Sequence, residues 1–116
     1  MVILVNNKVK KVNKYDRRQY DLMRKCLEGF EIGNINLRVL INSLRSLTNT
    51  LQEPNSEWKR KFMKEWWTLE EIYSIASSRE QNYLSKADTN DVYDAIDNMR
   101  LLIEELKQQV FLNIEE

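Results

Sequence analysis

The sequence predicts an all-α protein, an antiparallel helical bundle of about four helices with a short N-terminal arm or hairpin. The chain of 116 residues contains only two glycines and one proline, and this scarcity of helix breakers favours long helices. Four stretches also repeat apolar residues every three or four positions, which is the period of a helix with one buried face. Helices of this kind bury their apolar faces against one another.

The length predicts one domain, residues 1–116, with a core that buries roughly two-thirds of the surface of the unfolded chain. Residues 1–14 form an N-terminal arm or a small hairpin in this interpretation, and residues 15–112 form the bundle. Asn6 and Asn7 suit the tight turn of a hairpin. An isolated hairpin is only marginally stable in water, so an extended arm along the helices is an equally good interpretation.

The first helix is predicted from about Asp16 to Glu28, and either Gly29 or Gly33 can end it. Its apolar positions have helical spacing: Tyr20, Met23, Leu27 and Phe30. Asn34 is the expected N-cap of the second helix. That helix carries a leucine stripe with Ile41 beside it: Leu37, Leu40, Leu44, Leu47 and Leu51. The stripe covers only two heptads, which favours packing within a bundle over an extended coiled coil.

The third helix is expected to begin after Pro54, with Asn55 or Ser56 as its cap, and to run to about Ser78. One face collects the residues Trp58, Phe62, Trp66, Leu69, Tyr73 and Ala76. Trp67 lies about 180° from Trp58 around this helix, and therefore points away from the stripe. Either the arm or the first helix covers Trp67, or Trp67 is an exposed aromatic anchor for a partner.

The fourth helix is expected to follow a loop at about residues 85–88, and acidic residues near its start suit the helix dipole. Its apolar stripe consists of Val92, Ala95, Ile96, Met99, Ile103, Leu106 and Val110. The opposite side places Leu101 among four carboxylates, those of Asp94, Asp97, Glu104 and Glu105. A single exposed leucine is normal, but this arrangement also suits a basic protein partner. The candidate partner-binding residues are therefore Asp94, Asp97, Leu101, Glu104, Glu105 and Trp67.

The composition argues against an enzyme. The chain has no histidine, a single cysteine and no glycine-rich phosphate loop, so the usual general base and the usual zinc ligands are missing. Cys26 is expected to be a small buried hydrophobic residue rather than a nucleophile. We expect no metal site, no cofactor and no membrane segment. The absence of a signal-like N-terminus predicts a cytoplasmic protein.

Opposite charges mark the two ends of the chain. Residues 1–30 carry eight basic and three acidic side chains, whereas residues 91–116 carry two basic and seven acidic ones. Either the two ends pack against each other, or one of them faces a charged partner. The basic N-terminal segment also supports an alternative function, a regulatory or nucleic-acid-binding module. Nucleic-acid binding is the weaker expectation, because Tyr15 is the only aromatic residue close to that cluster before Tyr20.

A family resemblance sharpens the functional expectation. The leucine-rich segment Ile35–Leu47, the Glu53-Pro54 loop and the aromatic segment from Trp58 to Tyr73, with its Trp66-Trp67-x-Leu69-Glu70 motif, resemble small helical bacterial proteins. These are immunity proteins of polymorphic or contact-dependent growth-inhibition toxin systems. The resemblance covers about residues 20–80. It implies a cytoplasmic protein that binds and neutralises a cognate toxin domain, but it transfers no binding residue and leaves the oligomeric state open.

Overall fold

The protein contains four helices in its described part: α1 Lys14–Glu31, α2 Leu37–Asn49, α3 Ser56–Ser77 and α4 Lys86–Glu115. The computed structural model describes residues 12–79 and 84–115, with side chains up to Leu106. No strand occurs within these ranges. The predicted all-α class is confirmed. The choice between a hairpin and an extended arm depends on residues 1–11, which lie outside the described ranges.

The helices form a closed antiparallel ring, in which each helix packs against the next and α4 packs against α1. The indole of Trp58, near the start of α3, reaches the Leu102 carbonyl far along α4. At the other end of this pair, Arg79 just after α3 forms an ion pair with Asp88 at the start of α4. These contacts show that α3 and α4 run in opposite directions, as predicted for the bundle.

The N-terminal caps of the first three helices are asparagines. The side chains of Asn13, Asn36 and Asn55 each accept a hydrogen bond from the backbone N–H three residues later, which satisfies a group that has no partner within the helix. The expected cap at Asn34 is wrong by two residues. The Asn34 N–H instead bonds to the Gly29 carbonyl, and closes the end of α1.

Gly33 explains why Asn34 belongs to the end of α1. Gly33 has a φ of 86°, and its N–H bonds to the Phe30 carbonyl while the Asn34 N–H bonds to that of Gly29. This pair of bonds is a Schellman motif, which requires a left-handed residue at the position of Gly33. Glycine adopts this conformation without a Cβ clash.

The expected loop at residues 85–88 is also wrong, because α4 begins at Lys86. Ser85 Oγ accepts the Asp88 N–H at 3.0 Å, and Asp88 Oδ2 accepts the Ser85 N–H at 3.1 Å. This reciprocal pair is a capping box. Arg79 and the Ser85 N–H together hold the pKa of Asp88 below its ordinary value. An acidic residue was expected in the first turn of α4, and Asp88 occupies it.

The core largely follows the predicted stripes. Every predicted α4 stripe residue up to Leu106 is buried, and so is Leu102 beside them. On α3, Ile72 is buried and Tyr73 is half-buried. On α2, Leu47 is half-buried and Thr48 is buried, whereas Leu51 of the predicted stripe lies beyond the end of the helix at Asn49 and is half-buried there. The Thr48 hydroxyl donates to the Leu44 carbonyl at 2.7 Å, so this polar residue lies in the core without an unsatisfied donor.

A buried carboxylate ties the start of α1 to the loop between α2 and α3. Asp16 is 1% exposed. Its two oxygens accept the backbone N–H groups of Gln52 and Glu53, each at 2.8 Å. Asn13 adds a hydrogen bond from its Nδ2 to Glu53 Oε1 at 3.0 Å. Charge-assisted bonds of this kind are stronger than neutral ones, so this end of the bundle is held by polar contacts as well as by apolar packing.

Two buried tryptophans attach α3 to its neighbours. Trp58 Nε1 donates to the Leu102 carbonyl in α4 at 2.8 Å, and Trp66 Nε1 donates to the Ile41 carbonyl in α2 at 2.9 Å. Trp58 also stacks on Phe62 with ring centroids 4.8 Å apart, and meets the edge of Tyr20 at 5.0 Å. These contacts fix the rotation of α3 between α2 and α4 and thereby determine which of its side chains face outward.

Candidate protein-binding surface

Trp67 lies on the outer side of α3 and is 60% exposed. Its ring meets Trp66 edge to face, with centroids 5.0 Å apart and an interplanar angle of 84°. Cover by the first helix would bury this ring, so that alternative is wrong. Cover by the arm falls on residues outside the described ranges. In the structure Trp67 is a large apolar side chain that solvent reaches.

The residue beneath Trp67 is firmly held. Trp66 is 2% exposed and hydrogen-bonded to α2, and the Arg45 guanidinium lies 5.5 Å from the centroid of its ring, within the range of a cation–π contact. Trp67 therefore rests against a side chain that is fixed by packing, by a hydrogen bond and by a cation. A rigid support lowers the entropy that an aromatic anchor loses when it binds a partner.

The five candidate residues of α4 also face solvent. Leu101 is 63% exposed, and exposed carboxylates surround it, those of Asp94, Asp97, Glu104 and Glu105. The prediction that this side of α4 lies opposite the core is confirmed. Asp97 differs from the other three acidic residues, because its Oδ1 accepts a bond from Arg100 at 3.1 Å. Arg100 also pairs with Glu31 at the end of α1.

The structure places basic residues of α3 next to Leu101, which the sequence analysis did not predict. We call these residues, Arg60, Lys61 and Lys64, the basic wall. A groove of about 380 Å³ runs between α3 and α4, with Leu101, Leu102 and Glu105 on the α4 side. The α3 side carries three exposed cations, those of Arg60, Lys61 and Lys64. An Asn98–Glu65 hydrogen bond of 3.3 Å crosses between the two helices. Leu101 is thus flanked by acidic residues on its own helix and by basic residues on the next.

Most charged side chains of this groove form no salt bridge with another described residue. In the described part of the chain, Lys61, Lys64 and Glu105 take part in none of the ion pairs. Arg60 is the exception, because its guanidinium bonds to Glu57 Oε1 at 2.7 Å and lowers the pKa of that carboxyl group. The charges of Lys61, Lys64 and Glu105 are therefore not neutralised by an ion pair among the described residues.

The candidate residues form two surfaces rather than one. Trp67 is absent from the lining of the α3–α4 groove, and it lies about 120° around α3 from Lys61, which faces α4. Leu101 and Glu105 line the groove, and Asp94 lies on the same side of α4, two helical turns before Leu101. We refer below to the Trp67 face and to the α3–α4 face, the latter formed by Arg60, Lys61, Lys64, Asp94, Leu101 and Glu105.

Helical spacing could have revealed the basic wall. Lys61 and Lys64 lie three positions apart, which places both on one side of α3. The sequence alone does not specify which helix packs beside that side, so the pairing of basic residues on α3 with Leu101 on α4 required the structure.

Cys26 lies against the core and is half-buried. Burial raises the pKa of its thiol, and a hydrogen bond from Ser43 opposes this effect in part. A raised pKa keeps the thiol protonated at neutral pH, whereas the thiolate is the reactive form. Within the described residues, no group of three or more Cys, Asp or Glu side chains is placed to hold a metal ion. None of the described helices combines the length and the apolar character that a membrane span requires.

Comparison of the chain with protein-family models, with curated proteins and with solved structures found no match. What the two faces bind is therefore inferred from their chemistry.

Proposed function

We propose that this chain is a cytoplasmic immunity protein, which binds a cognate bacterial toxin domain and neutralises it by protein–protein interaction. The observation that supports binding is Trp67, which is 60% exposed although it lies in the middle of a helix whose other two tryptophans are buried. The resemblance of residues 20–80 to immunity proteins supplies the class of partner. In this proposal the inhibitor blocks the toxin domain by binding over its surface, and none of the inhibitor's own side chains reacts chemically.

The Trp67 face has the properties of an interface centre. Tryptophan is enriched among the residues that dominate binding energy, because a large rigid ring displaces much water at a small cost in entropy. Lys64 and Glu71 lie one helical turn before and after Trp67, and both are exposed. A polar rim around an apolar centre is the usual anatomy of a protein interface. The face is therefore suited to a protein partner with an apolar pocket.

The proposal expects a toxin domain to be encoded beside this chain, and co-expression with the product of that neighbouring gene tests it. We expect cells that produce both proteins to survive, and cells that produce the toxin with the Trp67→Ala variant to grow more slowly. In binding measurements with a catalytically inactive form of that toxin domain, Trp67→Ala should raise Kd by about 30-fold or more, which corresponds to the ~2 kcal/mol of an interface hot spot.

Ile75→Ala is the matched control, because Ile75 is 49% exposed on the same helix and also loses an exposed apolar side chain. We expect this variant to bind and protect as the parent chain does. If the parent chain neither protects cells nor binds the toxin domain, the proposed function is wrong. If it protects but Trp67→Ala binds equally well, the inhibitor uses another face.

A further inference from the structure

The α3–α4 face is complementary to itself. Its α3 half carries three exposed cations together with Glu65, which bonds to Asn98, and its α4 half carries Glu105 and the exposed Asp94 on the same side of the helix, with Leu101 beside the boundary. We propose that a second copy of this chain binds here and forms a symmetric dimer, in which α3 of each protomer faces α4 of the other. This interface does not include Trp67, although Lys64 lies at the border of both faces. Self-association is measured without the toxin domain, so the two proposals are tested separately.

Symmetry limits how two such faces can meet. A two-fold axis parallel to the helices places the basic half of each protomer opposite the acidic half of its partner, and the same contact occurs twice. A two-fold axis that crosses the helices within the interface plane places α3 against α3 and α4 against α4, which opposes like charges. Charge complementarity therefore selects the first arrangement.

The groups that meet in this arrangement have no competing ion pairs with the residues that the structure describes. Lys61 and Lys64 on α3, like Asp94 and Glu105 on α4, are exposed and belong to none of the ion pairs in the described ranges. Dimer formation therefore breaks no salt bridge between described residues at these four positions. Leu101, which is 63% exposed, becomes buried near the dimer axis and contributes apolar area where the charged halves meet.

The charge of the whole chain also permits self-association. The chain has 18 basic and 18 acidic residues and a formal net charge of zero, so two copies approach without a net repulsion. The interface contains one exposed leucine per protomer together with exposed charges, which is typical of a small polar contact. We therefore expect a reversible dimer with a micromolar dissociation constant that weakens as salt screens the charges.

Two charge reversals test this dimer by analytical ultracentrifugation. The α3 variant is Lys61→Glu/Lys64→Glu, and the α4 variant is Asp94→Lys/Glu105→Lys. The parent chain should approach twice its 14.0 kDa monomer mass as its concentration rises. Each variant alone should raise the dissociation constant by about tenfold or more, because like charges then face each other. Arg18→Glu/Lys25→Glu is the control for the α3 variant, since it makes the same change of charge on the exposed side of α1.

A mixture of the two variants shows whether α3 of one protomer pairs with α4 of the other. An equimolar mixture of the α3 and α4 variants should form a heterodimer, because the acidic α3 of one meets the basic α4 of the other and the two unaltered halves also match. A chain with all four substitutions should dimerise again for the same reason. Circular dichroism checks that each variant is helical, and recovery in the mixture shows that neither variant is simply misfolded.

Three results would overturn the proposal. The first is a parent chain that stays monomeric throughout the micromolar range at low salt. The second is a dimer unaffected by either reversal. The third is a dimer that each reversal disrupts but that the mixture fails to restore. A failure of toxin binding leaves these measurements unaffected, so the two proposals can fail separately.

Discussion

The polar and aromatic side chains inside the bundle have partners within the protein, whereas several of those on the outer surface of α3 and α4 are exposed to solvent. Inside, the Asp16 carboxylate and the indoles of Trp58 and Trp66 each have hydrogen-bond partners on another segment. Outside, Trp67 is largely exposed and Lys61 and Lys64 form no ion pair in the described residues. The interior groups fix which helix faces meet, whereas the outer groups make few contacts within the described part of the protein.

This difference separates stability from binding. A buried polar group without its partner costs free energy, so changes inside the bundle should lower stability. An exposed group makes few contacts within the protein, and changes there are usually within ±0.5 kcal/mol. Adjacent residues of α3 fall on the two sides of this boundary, since Trp66 is 2% exposed and Trp67 is 60% exposed. Equivalent substitutions at the two positions should therefore have very different effects.

The largest expected effect is at Trp66. We expect Trp66→Ala to lower the free energy of unfolding by ~3–5 kcal/mol, since it removes a large buried ring and leaves a cavity. It also leaves the Ile41 carbonyl without its indole donor. Chemical denaturation with a fluorescence or circular dichroism readout measures this change. A loss below ~1 kcal/mol would show that the interior is less specifically packed than the structure indicates.

The next effect appears at high pH and involves Tyr20. Burial, and then the nearby negative charge of Asp16, raise the pKa of Tyr20 to about 12 from an ordinary value of 10.0. Because the folded state holds this proton more tightly than the unfolded state, its contribution is complete below pH 10 and is lost as the pH rises toward 12. A shift of this size corresponds to a loss of up to about 3 kcal/mol.

Denaturation at pH 9 and pH 11.5 measures the alkaline loss at Tyr20. Tyr20→Phe should reduce the fall in stability between these values, because phenylalanine has no proton to lose. Tyr93→Phe is the control, since it changes a partly exposed tyrosine and leaves Tyr20 in place. An equal alkaline loss in the parent chain and in Tyr20→Phe would contradict the assignment.

A smaller effect is expected at the contact between α1 and the α2–α3 loop. Asp16→Asn should cost about 2 kcal/mol, because the amide has one acceptor oxygen for the two N–H donors of Gln52 and Glu53. Asp94→Asn is the matched control on an exposed carboxylate, and should change stability by less than ~0.5 kcal/mol. Hydrogen exchange at the two loop amides gives a local test. Unchanged protection of both amides in Asp16→Asn would rule out the contact.

Apolar spacing predicted the bundle because the interior is mostly apolar. The same rule missed the Asp16 contact, because a carboxylate at a buried position does not register as part of an apolar stripe. Asp16 nevertheless precedes Tyr20 by four residues, and so continues the buried line of α1. The position of this acidic residue in line with the core stripe was the one sequence feature that could have indicated its burial. Its partners are backbone N–H groups from a loop more than thirty positions away, and no local pattern identifies those.

The helix ends show a different limit of prediction from sequence. Asn34 and Asn36 are chemically equal candidates for the cap of α2, and the left-handed Gly33 decides between them by drawing Asn34 into the end of α1. At the surface, spacing correctly placed Leu101 and Trp67 away from the core. It did not show that they occupy separate faces, because that depends on which helices become neighbours.

The smallest stability effect, and the sharpest contrast with Trp66, is expected at Trp67. Trp67→Ala should change the free energy of unfolding by less than ~1 kcal/mol, because its ring is mostly in water and loses mainly the edge contact with Trp66. The same substitution should speed dissociation from the toxin domain, since interface anchors act mostly on the off-rate. Unfolding and dissociation rates measured on one preparation separate the two roles. A destabilisation as large as that of Trp66→Ala would mean that Trp67 belongs to the interior in solution, and that the N-terminal arm or another segment covers it.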